Sequence, residues 1–240
     1  MLVISYLRVI AHIFRGFFIV VFLFPRKDTQ QQNLALQNWS YGLLKVFNIE
    51  LQLEGEIPKD LQSHLVVSNH ISWLDIHVIN ALFPMRFVAK KEVASWPVFG
   101  WFAKKLNTLF IDRQKSGHSR DVSDQMTSAL KAGDRICIFP EGTSSDGLSV
   151  LKFKPNLFQS VIDAQSICLP TAITYIQPKT GEVSIATAFI GDMGLLESMN
   201  NTLKNAPLIV RVRIGEPIKD EVNRKVLSEL AWEQVVKLRN

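Results

Sequence analysis

The chain has 240 residues, of which 47% are apolar and 20% charged, a balance that excludes collagen-like, low-complexity and disordered classes. Its 27 Lys and Arg against 22 Asp and Glu give a net charge of +5, which favours anionic partners such as phospholipid headgroups but is modest for nucleic acid, and the aromatic residues lie in apolar segments. The two cysteines, Cys137 and Cys168, sit in apolar runs without C-x-x-C spacing, so neither a zinc knuckle nor a disulfide framework is supported.

Residues 1–24 read MLVISYLRVIAHIFRGFFIVVFLF. Arg8, His12 and Arg15 follow a spacing of i, i+4, i+7, which places them on one helical face beside a broad face of Leu, Val, Ile and Phe. A spanning helix needs roughly 20 predominantly apolar residues, and the uninterrupted run from Gly16 to Phe24 is about half of that. Pro25, Arg26 and Lys27 follow instead of a small-residue cleavage site, which argues against a signal peptide. The pattern predicts a helix in the bilayer interface with its basic stripe at the headgroups, a true span and a core helix being the alternatives. Residues 30–48 predict a second helix with Leu34, Trp39, Leu43, Leu44 and Phe47 on its apolar side. Residues 1–48 thus read as membrane-associated helices and 49–240 as an α/β domain, the rival being two ordinary helices packed on a sheet.

The periodicity changes after Asn48. Ile49, Leu51 and Leu53 alternate with polar residues, a strand ended by Gly55. Further strands are predicted at 64–68, 86–89, 108–111, 135–139, 169–176, 183–190 and 208–214. A helix over 119–132 shows Val122, Met126, Ala129 and Leu130 on one face, with Gly133 as its stop. The last helix, about 219–239, presents Val222, Val226 and Leu230. Strands separated by helices imply a mixed, largely parallel sheet flanked by helices.

Three segments leave strand ends, where ligand sites of α/β sheets gather. The first is Asn69-His70-Ile71-Ser72-Trp73-Leu74-Asp75. His70 and Asp75 do not share a face of a straight helix, but they can meet over a turn that opens one. A carboxylate on one ring nitrogen fixes the tautomer and leaves the other nitrogen as a base. The second is Phe139-Pro140-Glu141-Gly142-Thr143-Ser144-Ser145-Asp146-Gly147, in which glycine and small hydroxyl residues let backbone N–H groups approach an anion. It matches neither the P-loop nor the G-x-S-x-G elbow. The third is Asp112-Arg113, where Arg113 either holds a phosphate or pairs with a carboxylate. Lys90 and Lys91 sit at another strand end.

Taken in order, N-H-x-x-x-x-D, A-K-K-E, F-I-D-R, F-P-E-G-T and L-P-T-A-I resemble the glycerolipid acyltransferase family over roughly residues 64–175, the nearest type being 1-acyl-sn-glycerol-3-phosphate acyltransferases. The resemblance implies transfer of a fatty acyl group from an acyl thioester, on coenzyme A or acyl carrier protein, to a lysophospholipid hydroxyl. It implies His70 as general base and Asp75 as its orienting partner, with no metal and no cofactor beyond the acyl donor. Lys91 and Arg113 match basic positions for the acceptor's anionic head, Glu141, Gly142 and Thr143 the acceptor motif, and Pro170 the motif shaping the donor side. Membrane lipids are the implied partners, nucleic acid is not, and the implied location is a peripheral or monotopic membrane protein with its site facing the cytoplasm. One departure stands out. The acceptor motif commonly continues with Arg after Thr, whereas this chain has Ser144. That leaves another lysolipid, such as a lyso-ornithine lipid, as an alternative acceptor. Rivals of other classes are a serine hydrolase using Ser72 or Ser144 with His70, and a non-catalytic lipid-binding module.

Overall fold

The computed structural model describes residues 2–56, 63–112 and 117–240. A first helix, α1 (Leu2–Phe18), runs on through a wider π turn, Ile19–Leu23, and a tight turn, Phe24–Arg26. The whole helix, Leu2–Arg26, has 25 residues and is by length and composition able to cross a membrane. Asp28 caps the next helix, α2 (Thr29–Val46), by accepting from the Gln31 N–H at 2.8 Å.

The basic stripe expected on α1 divides in the structure. Arg8 and Arg15 are exposed, but His12 is buried in line with Val9 and Gly16. His12 Nε2 meets the Trp39 carbonyl of α2 at 2.8 Å, and the Trp39 indole N–H donates to the His12 carbonyl at 3.0 Å. Gly42 makes this approach feasible, since a Cβ there would lie 2.7 Å from the imidazole. The apolar residues of α1 face outward instead: Ile4, Leu7, Phe14 and Phe18 are all at least half exposed, at 57%, 60%, 69% and 53%. A core helix inverts that pattern, so the core-helix alternative does not describe α1. On α2, Trp39, Leu43, Leu44 and Phe47 are buried as expected, while Leu34 is exposed.

Seven strands form one sheet: β1 (Ile49–Glu54), β2 (His64–Ser68), β3 (Arg86–Lys90), β4 (Leu109–Ile111), β5 (Arg135–Ile138), β6 (Ile167–Ile176) and β7 (Leu208–Ile214), in the order β1-β7-β6-β2-β5-β3-β4. Every neighbouring pair is parallel except β6 and β7. Helices cover both faces, as expected. Alternate residues of the central strands enter opposite cores. Val66, Cys137 and Leu169 join the core under α2 and α3 (Asp75–Leu82), while Leu65, Val67 and Ile136 join the core under α5 (His118–Lys131) and α8 (Arg224–Arg239). This double burial is why the central strands read as unbroken apolar runs. Three shorter helices complete the layers: α4 (Phe99–Lys105), α6 (Gln159–Ala164) and α7 (Leu195–Lys204).

Two expectations are corrected. Residues 183–190 form no strand; Val183 makes an isolated bridge to Ile176, and the chain then turns. β2 pairs β6 only as far as Thr171, and the edge of β6 beyond it takes the Asn69 carboxamide at Ile173 and Val183 at Ile176 before the chain turns away. The buried stripe of α8 is Leu227, Ala231 and Val235, one position on from Val222, Val226 and Leu230, which are exposed. The boundary near residue 48 coincides with the passage from α2 to β1, yet α2 shares the core of one sheet face.

Candidate active site

β2 stops at Ser68, and the Asn69 side chain takes over its place in the ladder. Its carboxamide accepts from the Ile173 N–H at 2.8 Å and donates to the Ile173 carbonyl at 2.9 Å. The backbone can therefore leave the sheet without leaving buried groups of β6 unpaired.

The freed chain turns and opens α3 with Asp75 as its first residue. Asp75 is fully buried, and its carboxylate is met by four donors. One oxygen accepts from the backbone N–H groups of Ile71 and Ser72, at 2.7 and 2.8 Å, and from His70 Nδ1 at 2.8 Å. The other accepts from the Tyr175 hydroxyl at 2.8 Å. A buried carboxylate persists only when so paired, and the first turn of a helix adds its dipole. With an acceptor on Nδ1, the proton is assigned to that nitrogen, and Nε2 keeps a lone pair. The His70 side chain is 23% exposed, and its ring stacks on Phe139, with centroids 4.1 Å apart and an 11° tilt. Burial of the Tyr175 phenol, with the Asp75 charge beside it, pushes its pKa well up, so it stays a donor.

The loop after β5 braces the same turn. Glu141 Oε1 accepts from the His70 N–H at 2.7 Å, and Oε2 from the Leu151 N–H at 3.0 Å. Both oxygens are thus occupied by backbone. Burial pushes the Glu141 pKa up to about 7, against the pull of those two bonds. The Ser145 N–H donates to the His70 carbonyl at 2.8 Å. Gly147, at φ +78°, packs so closely that a Cβ would lie 2.8 Å from the Ile71 side chain. Arg239, at the end of α8, forks onto the Gly147 carbonyl at 3.1 and 2.9 Å.

The remaining expected residues are distributed as follows. Gly142 is buried in the turn after Pro140, and Thr143 is exposed. Lys91 Nζ pairs with the Asp112 carboxylate at 3.1 Å. Arg113 lies outside the described residues. Pro170 is buried within β6, aligned with Val67 of β2. The Ser144 hydroxyl donates to the Phe189 carbonyl, and the Ser72 hydroxyl accepts from the Leu74 N–H at 3.3 Å.

Two cavities adjoin the turn. One, of about 270 Å³, is walled in part by Ile111, Asp112, Ser119, Phe139, Gly142 and Lys154. The other, of about 110 Å³, is apolar and walled in part by Trp73, Phe87, Val93, Trp96, Phe99 and Leu195. Asn69, Phe139 and Tyr175 received no role from the sequence. The first two lie inside quoted motifs, whereas Tyr175 reaches Asp75 from 100 residues away and left no local signal.

Three comparisons converge. The family model described as Acyltransferase matches residues 48–174. The chain is 36% identical to a lyso-ornithine lipid O-acyltransferase of Pseudomonas aeruginosa, over 82% of this chain and 75% of that protein. It is 33% identical to a 1-acyl-sn-glycerol-3-phosphate acyltransferase of Neisseria meningitidis, over 76% of this chain and 71% of that one. The fold matches the crystal structure of the 1-acyl-sn-glycerophosphate acyltransferase PlsC of Thermotoga maritima, with a TM-score of 0.72 and 22% identity over 98% of this chain and 94% of that chain.

Proposed function

This chain belongs to the acyltransferase family, and from that premise we propose that it moves a fatty acyl group from an acyl thioester, on coenzyme A or acyl carrier protein, to the free hydroxyl of 1-acyl-sn-glycerol-3-phosphate. The observation that carries this reading is His70, tied through Nδ1 to buried Asp75 at 2.8 Å. Nε2 takes the proton of the acceptor hydroxyl as its oxygen attacks the thioester carbonyl. The tetrahedral intermediate then expels the thiolate, which receives that proton from the imidazolium. Asp75 offsets the transient positive charge and holds the ring in place. A thioester is already activated, so the step needs no enzyme nucleophile, and a general base of this kind contributes typically ~10²–10⁴ in rate. The apolar cavity beside Trp73 suits a hydrocarbon chain.

A second acceptor, lyso-ornithine lipid, is favoured by one observation. Ser144 stands where the acceptor motif commonly has Arg, and its hydroxyl is spent on Phe189. We place the protein at the membrane through the outward apolar face of α1, with the site on the cytoplasmic side.

The test is a panel: full-length protein, one acyl-CoA, and lysophosphatidate, lyso-ornithine lipid and other lysolipids as acceptors. Turnover of lysophosphatidate that vanishes in His70→Ala supports the reading. Turnover confined to lyso-ornithine lipid replaces the acceptor, and no transfer to any lysolipid overturns the function.

A further inference from the structure

The cavity of about 270 Å³ lies against Phe139, the ring on which His70 stacks. A group bound there is one aromatic ring away from the base. Of the nine described residues that wall the cavity, Asp112 and Lys154 carry charge. Asp112 already accepts from Lys91 at 3.1 Å, and its N–H donates to His118 Nδ1 at 2.9 Å. The Lys154 ammonium makes no hydrogen bond or ion pair with any described residue. Its backbone is anchored, because the Lys154 N–H donates to the Pro140 carbonyl at 2.9 Å, while the residue itself is exposed. That contact ties Lys154 to the residue before Glu141, whose carboxylate holds the His70 backbone. Ser119 and Asn156 add neutral polar groups to the wall.

Of the expected cationic positions, Arg113 lies outside the described residues. Lys91 is engaged with Asp112, and position 144, commonly Arg in the acceptor motif, is Ser with its hydroxyl turned to Phe189. We propose that Lys154 is the cation that holds the anionic head of the acceptor lipid, an assignment that rests on the lysolipid reading above. The head chemistry it fits is one accessible anion, a phosphate monoester or a carboxylate. Its ammonium, at the wall that Phe139 shares, places that anion across Phe139 from the base.

The experiment compares Lys154→Gln and Lys154→Arg with wild type in steady-state kinetics. Lys154→Gln is expected to raise KM for the acceptor about 10- to 100-fold, the weight of one charge-assisted hydrogen bond. KM for acyl-CoA should stay within about twofold, and Lys154→Arg should recover much of the loss. A larger effect with lysophosphatidate identifies the anion as phosphate; a larger effect with lyso-ornithine lipid identifies it as carboxylate. An unchanged acceptor KM overturns the assignment, as does a rise confined to acyl-CoA, which would put Lys154 on the donor. A second measurement does not need turnover. Acylation of Lys154 by an amine-reactive reagent, read by mass spectrometry, should be slowed by glycerol 3-phosphate and by N-acetylornithine, while exposed Lys131 is not protected. Absence of protection by both probes overturns the role of Lys154 whatever the enzyme turns over. Protection without lysolipid turnover keeps the anion site and removes the function.

Discussion

Asp75 is the residue on which the site depends, and its four donors make a sharp prediction. In Asp75→Asn, the amide oxygen can serve His70, Ile71 and Ser72 if the NH₂ group points at Tyr175. The tyrosine hydroxyl can rotate to accept, since a hydroxyl both donates and accepts. The fold and the ring tautomer then survive, and what is lost is the charge that offsets the imidazolium. Turnover should fall about 100-fold with the unfolding midpoint little changed, against ~10⁴ where the wrong tautomer takes over. Adding Tyr175→Phe removes the group that steers the amide, so the double variant should move toward the larger loss. Single-turnover rates and thermal unfolding of the three proteins check this. Near-normal turnover in Asp75→Asn would remove the aspartate from the mechanism.

At the scale of elements, the loop after β5 is a brace for the turn that carries His70, and Glu141 makes it sensitive to pH. Its pKa in the fold, about 7, lies above the ordinary 4.5. The protonated form is therefore favoured by folding. This stability is present in full below pH 4.5 and is lost as pH rises through about 7. The difference amounts to about 3 kcal/mol. Unfolding of wild type and Glu141→Gln in mild detergent at several pH values isolates it. Wild type should lose stability toward pH 8 relative to the glutamine variant, and parallel curves would refute the account. The strands and the turn were legible because their signals are local: alternation at β1, apolar runs at β2 and β5, and His70 and Asp75 five residues apart. What escaped was set by packing. The stripe Val222, Val226, Leu230 and the stripe Leu227, Ala231, Val235 have the same period, and only the neighbouring sheet decides which is buried. Residues 183–190 have a strand-like pattern, but only Val183 joins the edge of β6 that β2 leaves open beyond Thr171, and the chain then turns away. The acyltransferase motifs were readable in order, yet Tyr175 was not, since its contact with Asp75 exists only after the sheet has formed.

At the scale of the whole molecule, α1 packs His12 inward and presents Ile4, Leu7, Phe14 and Phe18 to the outside, with Arg8 and Arg15 exposed. The chain should meet a bilayer through this face. Replacing Arg8 and Arg15 with Glu should weaken sedimentation with anionic vesicles by about 1 kcal/mol per basic residue removed, and leave binding to zwitterionic vesicles nearly unchanged. Equal binding by the charge-reversed protein would favour a span or a purely apolar anchor. Behind that face, the sheet and the turn that carries His70 meet at Asn69, whose carboxamide stands in for a peptide unit opposite Ile173. Strand register is thereby uncoupled from the path of the backbone after Asn69. Within residues 70–75, His70 and Trp73 are the positions not buried, and there new side chains can be tried while strand register stays fixed. Asn69 is the socket that permits it: any residue there without both a donor and an acceptor at the tip would make a change in the turn a change in the sheet as well.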